Sequence, residues 1–325
     1  MRSRVPPLDL RGIRTYPIAR RSHKVASGML GQPADVDASL ARFLDDLPDV
    51  LGVRALRGLA RAVATARHAG RPVVWAMGAH PIKVGLSPLL IDMMRRGTIT
   101  ALVLNGAGAI HDWEMAAIGE TSEDVAAALS DGSFGMVTET GQAVNAAAIA
   151  AAREGAGFGE VLGREIARSS LAHRELSLLA AAFDLDLPAT VHVTLGADTV
   201  HMHPTADGAA IGAATFTDFR RAASLVAELE GGVWINCGSA VQLPEVFLKA
   251  LTIARNLGHH VAAFTTANLD MQRHYRVEQN VLDRPTRGGG AWFNLIGHHE
   301  INIPLLAAAI DLDRRRLDPG GSGNP

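Results

Sequence analysis

The sequence has few aromatic residues, a single cysteine and almost no lysine. Aromatic side chains make up 5% of its 325 residues, so aliphatic side chains must fill most of any core. The lone cysteine, Cys237, excludes a disulfide framework within the chain and fits a reducing compartment. A formal net charge of −2 lacks the basic surplus that nucleic-acid-binding proteins carry. These absences favour a cytoplasmic protein with no nucleic-acid partner.

Long apolar runs are also missing. No stretch approaches the roughly 18 uninterrupted apolar residues that a membrane span requires, so we expect no membrane partner. The first residues carry arginines without the apolar stretch of a signal peptide behind them. Hydrophobic residues nevertheless make up 48% of the sequence, which is enough for a sizeable core.

Strand-like and helix-like segments alternate along the chain. Apolar runs predict strands near residues 73, 101, 190, 233, 261 and 292, with helical segments between them. This alternation predicts an α/β fold with a doubly wound, mostly parallel, Rossmann-like sheet. No linker separates two halves, so we expect an N-terminal arm at 1–37, a single domain at 38–312 and a disordered tail at 313–325.

Three predicted boundaries bear on the site. A helix is predicted at 36–47, and the fifth strand is predicted at 260–266. The residues after it, 270–290, have no clear pattern and predict a long loop.

One corner between a strand and a helix combines small residues with ionisable ones. After the apolar run that ends at Leu104, Asn105-Gly-Ala-Gly breaks the strand, and the next helix carries His111, Asp112 and Glu114 in its first turns. Small residues at a helix N-terminus let the backbone approach a ligand, and the free N–H groups favour an anion. The corner therefore predicts binding and chemistry together, although an ordinary strand-to-helix turn would look similar.

Similar corners follow the other predicted strands. They carry His80 and Lys83, then Asp198, His201, His203 and Asp207, then Asn236 and Gly238, and finally His298, His299 and Glu300. Because the carboxyl ends of parallel strands meet at one edge of a sheet, we expect these corners to form a common pocket. Lys83 stands out because the chain has only two other lysines, and it is either a functional cation or a solvated charge.

Common enzyme fingerprints are absent. No Gly-x-Gly-x-x-Gly, Gly-Lys-Ser/Thr or Gly-x-Ser-x-Gly motif occurs, and Cys237 lacks any mark of a nucleophile and is expected to be buried and inert. His201 and His203 could bind Zn²⁺ together with His111, Asp112 or Asp207. The spacings typical of zinc sites are missing, so we assign no metal ligands and keep a metal-assisted hydrolase or lyase as an alternative.

Several of these motifs resemble those of deoxyhypusine synthase. The runs 85–97 and 101–112 resemble that family's Gly-Leu helix and its Thr-Thr-Ala-Gly-Gly-x-Glu-Glu-Asp turn. Residues 203–208 are similar to its Cys-Pro-Ala-Leu-Thr-Asp-Gly segment, and 234–239 are similar to its Gly-Gly-Gly strand end. Thr266-Ala267 matches its Asn-Thr-Ala, and the order and spacing of the motifs agree from about residue 72 to 310.

The resemblance implies a deoxyhypusine synthase-like fold that binds NAD across the strand ends, in sites shared between subunits of a homotetramer. It implies cofactor contacts at these positions: Ala79, His80, Lys83, Asn105, Gly106, Ala107, His111, Asp207, Asn236, Gly238, Thr266 and Ala267. Members of the family oxidise a polyamine and pass its butylamine group through an enzyme lysine.

The chain departs from that family where the polyamine chemistry takes place. No lysine occurs between residues 270 and 300, and four arginines lie in that region instead. Cationic side chains repel a polyamine and attract an anion. Gln242 also stands where the family has an active-site histidine. The sequence therefore predicts a divergent relative with another substrate, a small molecule that can carry an anionic group, rather than a deoxyhypusine synthase.

The first hypothesis is an NAD-dependent enzyme, a transferase or oxidoreductase, that works by hydride abstraction, with or without group transfer. His111, His203 and His299 are the candidate acids and bases, since imidazole titrates near working pH. Lys83 would bind an anion or form a Schiff base. The alternatives are the metal-assisted hydrolase or lyase and a relative that binds a ligand without turnover.

Overall fold

Six parallel strands form the single sheet on which the protein is built. The structure, a computed structural model, describes residues 8–318 apart from 34 and 36. The strands are β1 (Val73–Met77), β2 (Ala101–Asn105), β3 (Ala189–His192), β4 (Val233–Cys237), β5 (Thr265–Asp270) and β6 (Ala291–Ile296). Their order in the sheet is β3-β2-β1-β4-β5-β6, and every neighbouring pair is parallel. The predicted α/β, doubly wound, Rossmann-like sheet in a single domain is confirmed.

Helices cover both faces of this sheet. They are α1 (Leu40–Asp46), α2 (Leu51–His68), α3 (His80–Lys83), α4 (Ser87–Arg95), α5 (Gly106–Ile118), α6 (Val125–Leu129), α7 (Thr138–Glu154), α8 (Phe158–Arg168), α9 (Leu178–Asp184), α10 (Gly208–Ala227), α11 (Gln242–Asn256), α12 (Tyr275–Val277), α13 (Arg284–Thr286) and α14 (His299–Leu317). A π turn, Glu278–Asp283, joins α12 to α13.

The core lies in two layers because β1 to β5 are buried on both sides, whereas the edge strand β6 is largely exposed or half-buried. Trp75 and Ile235 belong to the layer that includes α2 and α14, whereas Trp234 belongs to the layer that includes α11. Trp234 stacks on Phe247 of α11 with ring centroids 4.5 Å apart. Strands buried on both faces have continuous apolar sequences rather than alternating ones, which explains why β1, β2 and β4 were recognisable in the sequence.

The fifth strand begins later than predicted. The apolar run at 260–264 is buried in part, but its backbone is tied to the turn before β4 instead of to the sheet. The amides of Ala262 and Ala263 donate to the carboxylate of Glu230 at 2.6 and 3.0 Å, and Gly231 donates to the carbonyl of Ala263. Pairing with β4 therefore starts at Thr265 and runs to Asp270.

Other predicted boundaries also change. The segment 270–290 is not a simple loop, because α12, the π turn and α13 lie within it. The last helix, α14, continues through Asp313 to Leu317, so these residues do not belong to a disordered tail. The first helix begins at Leu40 rather than 36, after the side chain of Ser39 caps it, and position 36 lies outside the described residues.

The segment 8–33 lies largely on the surface. It forms three short 3-10 turns, and most of its side chains are exposed. Within the described part of the chain, no helix is both long enough and apolar enough to cross a membrane.

Candidate functional site

The strand order creates a crevice between the carboxyl ends of β1 and β4. The sheet continues to β2 on one side of this pair and to β5 on the other, and doubly wound folds bind ligands at such a switch point. Two glycines meet there: a Cβ on Gly78 would lie 2.5 Å from the carbonyl oxygen of Gly238. Gly238 has a φ of +61°, which favours glycine. The two strand ends can therefore be this close only without side chains.

Two histidines lie beside Gly238. A Cβ on that glycine would lie 2.9 Å from Cε1 of His299 and 3.7 Å from Cβ of His80. The Nδ1 atoms of the two imidazoles are 2.8 Å apart, and Nε2 of His299 lies 2.9 Å from the carbonyl oxygen of Leu269. Burial, together with repulsion from His299, lowers the pKa of His80. Ala79, predicted to contact the cofactor, is buried just before His80.

Three asparagines in register form a ladder across the sheet near its carboxyl edge. The Nδ2 of Asn236 donates to Oδ1 of Asn268 at 2.9 Å, and Nδ2 of Asn268 donates to Oδ1 of Asn294 at 3.0 Å. Asn236 also donates to the carbonyl of Ser239 at 3.0 Å. Asn236 is fully buried and fixes the loop after β4. The sequence had instead predicted that Asn236 contacts the cofactor on the rim of the crevice.

The N-terminus of α5 is occupied by a carboxylate of the chain itself. Asn105 caps this helix, since its Oδ1 accepts from the amide of Gly108 at 2.8 Å. The carboxylate of Asp198 packs so closely on Gly106 that a Cβ there would overlap it. Burial raises the pKa of Asp198 to about 6, although the nearby amides of Thr194 and Ala107 oppose this rise. The anion predicted at Asn105, Gly106 and Ala107 is therefore Asp198 in this structure.

Two further candidates have structural roles. The side chain of Asp207 caps α10 by accepting from the amides of Ala209 and Ala210, at 2.9 and 3.1 Å. His203 places Nε2 2.8 Å from the carbonyl oxygen of Gly135. Among the described residues, neither Asp207 nor His203 contacts a residue of the crevice between β1 and β4.

Thr266 and Ala267 lie at the wrong end of their strand for the predicted role. Both are fully buried near the start of β5, where they pair with Trp234 and Ile235 of β4. The carboxyl end of the strand is Asp270, which is 8% exposed. Placing the strand too early made Thr266 look like a strand end; both residues lie away from the carboxyl edge, and their contact with the cofactor stays a prediction.

Lys83 and His111 line a second cleft, of about 240 Å³, beside the first turns of α5. Its other polar neighbours include Glu114, Thr140 and Asp198. The short helix α3 connects the two regions, because His80 at its start joins the crevice and Lys83 at its end lines this cleft.

The histidines and aspartates of the metal hypothesis do not converge. Within residues 8–318, leaving out 34 and 36, no group of three or more His, Cys, Asp or Glu side chains is arranged to hold a metal ion. Asp112 is buried and accepts from Ser177, Leu178 and Leu179 at the start of α9. His201 accepts from the amide of Gly196 at 3.2 Å. This arrangement does not favour the metal-assisted alternative at these residues.

Sequence reasoning missed three residues of these sites. Asp198 was one candidate among several in a polar stretch, and only the fold brings it to α5. Asp270 was hidden by the misplaced strand, although a correct boundary would have revealed it. Thr121 has no recognisable signal in the sequence, since its role depends on a chain reversal after α5.

Comparison with known proteins gives similarity of fold only. No family model matches the sequence, and no curated protein matches it significantly. Among solved structures, a protein of Entamoeba histolytica provisionally assigned as a deoxyhypusine synthase is similar over 86% of this chain and 95% of its own, with 10% identity and a TM-score of 0.50.

Other solved structures are similar at lower scores. A LOR/SDH-type protein of Methanococcus maripaludis is 16% identical over 95% of this chain and 78% of its own, with a TM-score of 0.49. The arginine dihydrolase ArgZ of cyanobacteria is 13% identical over 82% of this chain, with a TM-score of 0.47. This chain spans 32% of the length of ArgZ. The resemblance to deoxyhypusine synthase is confirmed at the level of the fold alone, by the structure from Entamoeba histolytica at 10% identity.

Proposed function

We propose that this protein is an NAD-dependent enzyme that acts on a small molecule by hydride abstraction, with the cofactor bound in the crevice between β1 and β4. The observation that carries the proposal is the meeting of Gly78 and Gly238 at the switch point, with His80 and His299 beside them. Glycines bring the backbone close to a dinucleotide, and the histidines supply a proton acceptor at the same place.

The unit β4–α11–β5 has features that suit a dinucleotide. The loop after Gly238 leads to α11, a helix of 15 residues whose N-cap, Val241, provides no side-chain hydrogen bond, while Oγ of Ser239 accepts from the amide of Leu243. The amide of Gln242 and the positive end of the helix dipole favour a pyrophosphate. Asp270 ends the following strand, where a carboxylate can accept hydrogen bonds from ribose hydroxyls. The N-terminus of α5 suits the pyrophosphate less, because Asp198 already lies there.

The hydrogen bonds of the histidine pair determine which nitrogen can accept a proton. A backbone carbonyl only accepts, so Nε2 of His299 carries the hydrogen that bonds to Leu269. In the neutral ring Nδ1 of His299 must then accept, so Nδ1 of His80 donates to it. The lone pair of His80 is therefore on Nε2. We assign His80 as the proton acceptor and His299 as the residue that orients it.

NAD, when bound, accepts a hydride from a substrate carbon. His80 Nε2 would take the proton from the hydroxyl or amine on that carbon, which leaves a carbonyl or an imine. Its lowered pKa keeps His80 neutral at working pH, so it is ready to accept. Lys83, at the far end of α3, would hold an anionic group of the substrate.

Native mass spectrometry of the untreated protein tests the proposal together with the predicted tetramer. We expect a co-purified dinucleotide or, after its removal, a rise in melting temperature when NAD is added. Protein that neither retains NAD nor is stabilised by it would contradict the proposal. Stabilisation without turnover in a screen of small alcohols and amines would instead indicate a relative that only binds the ligand.

A further inference from the structure

The cleft beside α5 contains a hydrogen-bonded chain of four side chains. The hydroxyl oxygen of Thr121 lies 2.5 Å from Nδ1 of His111 and 2.5 Å from Oε2 of Glu114. The hydroxyl of Thr140 donates to the other carboxylate oxygen of Glu114 at 3.3 Å. His111 and Glu114 line the cleft, and their side chains are 15% and 20% exposed.

The fold of the α5 corner brings these residues together. His111 and Glu114 lie three residues apart and so share one face of α5. The helix ends at Gly119, whose φ of +72° turns the chain back. Ser122 has a φ of +74°, which continues the reversal. Thr121, between these two turns, returns beside the helix face that carries His111 and Glu114.

Threonine is the direct partner of the histidine, not the carboxylate. Nδ1 of His111 lies 3.4 Å from Oε2 of Glu114, which is too long for a good hydrogen bond, whereas the hydroxyl lies closer to both. Burial would raise the pKa of Glu114, but the nearby His111 and the hydrogen bond from Thr121 hold it below its usual value. Glu114 is therefore ionised near neutral pH and only accepts.

A hydroxyl has one hydrogen, and this fixes the tautomer of His111. Thr121 gives its hydrogen to the ionised Glu114, so toward His111 it can only accept. The hydrogen of the neutral imidazole must then be on Nδ1, and the lone pair is on Nε2. His80 is held in the same Nδ1–H form, but its hydrogen-bond chain ends on the backbone carbonyl of Leu269, whereas that of His111 ends on the carboxylate of Glu114.

We propose that Glu114 and Thr121 are positioning residues that hold His111 in its Nδ1–H form, so that Nε2 serves as a second proton acceptor, for the alcohol or amine end of a substrate in the cleft. The tautomer itself is independent of any cofactor, whereas its catalytic use rests on the proposed function. Lys83, Glu123 and Asp198 are the other charged groups that line the cleft around His111.

Nitrogen NMR of the full-length protein, labelled with ¹⁵N at histidine, tests this assignment. The signal of His111 is identified by its loss in H111Q. We expect Nε2 of His111 to have the shift of a nitrogen without hydrogen and Nδ1 that of an N–H, in slightly alkaline buffer. A wild-type His111 with hydrogen on Nε2 would overturn the proposal.

Three variants separate this role from simple packing. T121V removes the hydroxyl at nearly constant shape, so the Nε2–H form that histidine prefers in water should appear, whereas T121S should keep the wild-type spectrum. E114A frees the hydroxyl of Thr121 to donate and should move the tautomer the same way, which keeps the test open if T121V does not fold. Unchanged tautomers in both T121V and E114A would refute the relay. The NMR measurement of the His111 tautomer does not use NAD. Its result can therefore be interpreted even if the protein fails to bind NAD.

Discussion

The Nδ1 atoms of His80 and His299 are 2.8 Å apart, although 219 residues separate them in the sequence. One imidazole lies just after β1 and the other begins α14, and Nε2 of His299 is anchored on the carbonyl of Leu269. Nδ1 of His80 carries the hydrogen of this contact, so a proton taken up on Nε2 of His80 leaves the contact intact. His80 can therefore accept a proton without losing its partner.

Replacing His299 should change the titration of His80. Burial is the larger cause of the lowered pKa of His80, and repulsion from His299 is the next. In H299F the burial remains and the repulsion is lost, so the pKa of His80 should rise toward its ordinary value. NMR titration of the ring protons measures this, with H298Q as the control. A pKa of His80 that stays the same or falls in H299F would contradict the coupling.

An alanine at the switch point should weaken dinucleotide binding. In G238A the new Cβ would lie 2.9 Å from His299, and a φ of +61° disfavours alanine. We expect at least a tenfold loss of NAD affinity in calorimetry, with a stability loss of about 1–2 kcal/mol from the backbone strain. G208A is the matched control, since a Cβ there meets no atom within 4 Å. Equal affinity in both variants would move the cofactor site away from this crevice.

Asp112 should matter for stability rather than for catalysis. It is fully buried and receives hydrogen bonds from Ser177, Leu178 and Leu179, and burial raises its pKa to about 6. D112A leaves these donors without a partner, so we expect a loss of about 2–4 kcal/mol in urea unfolding. D124A removes the exposed cap of the short helix α6 and should cost less than about 1 kcal/mol. A stable D112A variant without NAD binding would instead favour a functional role.

Buried His192 should make the fold sensitive to acid. Burial lowers its pKa from 6.5 to about 4. Because the folded-state pKa is below the unfolded one, the unfolded chain binds the proton more readily between these values. Stability is therefore retained above pH 6.5 and lost as the pH falls toward 4, by about 3 kcal/mol in total.

Three buried aspartates oppose this trend, so the test for His192 is a difference between variants. Burial raises the pKa of Asp112 and Asp198 to about 6 and that of Asp218 to about 7, and each favours the folded state as the pH falls through these values. Unfolding free energies of wild type and H192Q at several pH values isolate the histidine. H68Q, on an exposed histidine, should follow the wild-type curve throughout. An H192Q curve parallel to wild type would contradict the assigned titration.

The sequence by itself determined the fold class, because buried parallel strands are continuous apolar runs that small residues interrupt. It also located the corners with Gly78, His80, Gly238 and His299. It could not locate β5 correctly, because the apolar run at 260–264 bonds to Glu230 instead of to the sheet.

Only the packed chain shows which distant groups the polar residues contact. Asp207 caps its own helix, but Asp112 accepts amides at the start of α9 and Asp198 packs on the start of α5. The pairing of His80 with His299, and of His111 with Thr121, depends on where the sheet and a chain reversal bring distant residues. Local propensity acts over a few residues, whereas a hydrogen bond requires two groups within about 3 Å, which only the packed chain specifies.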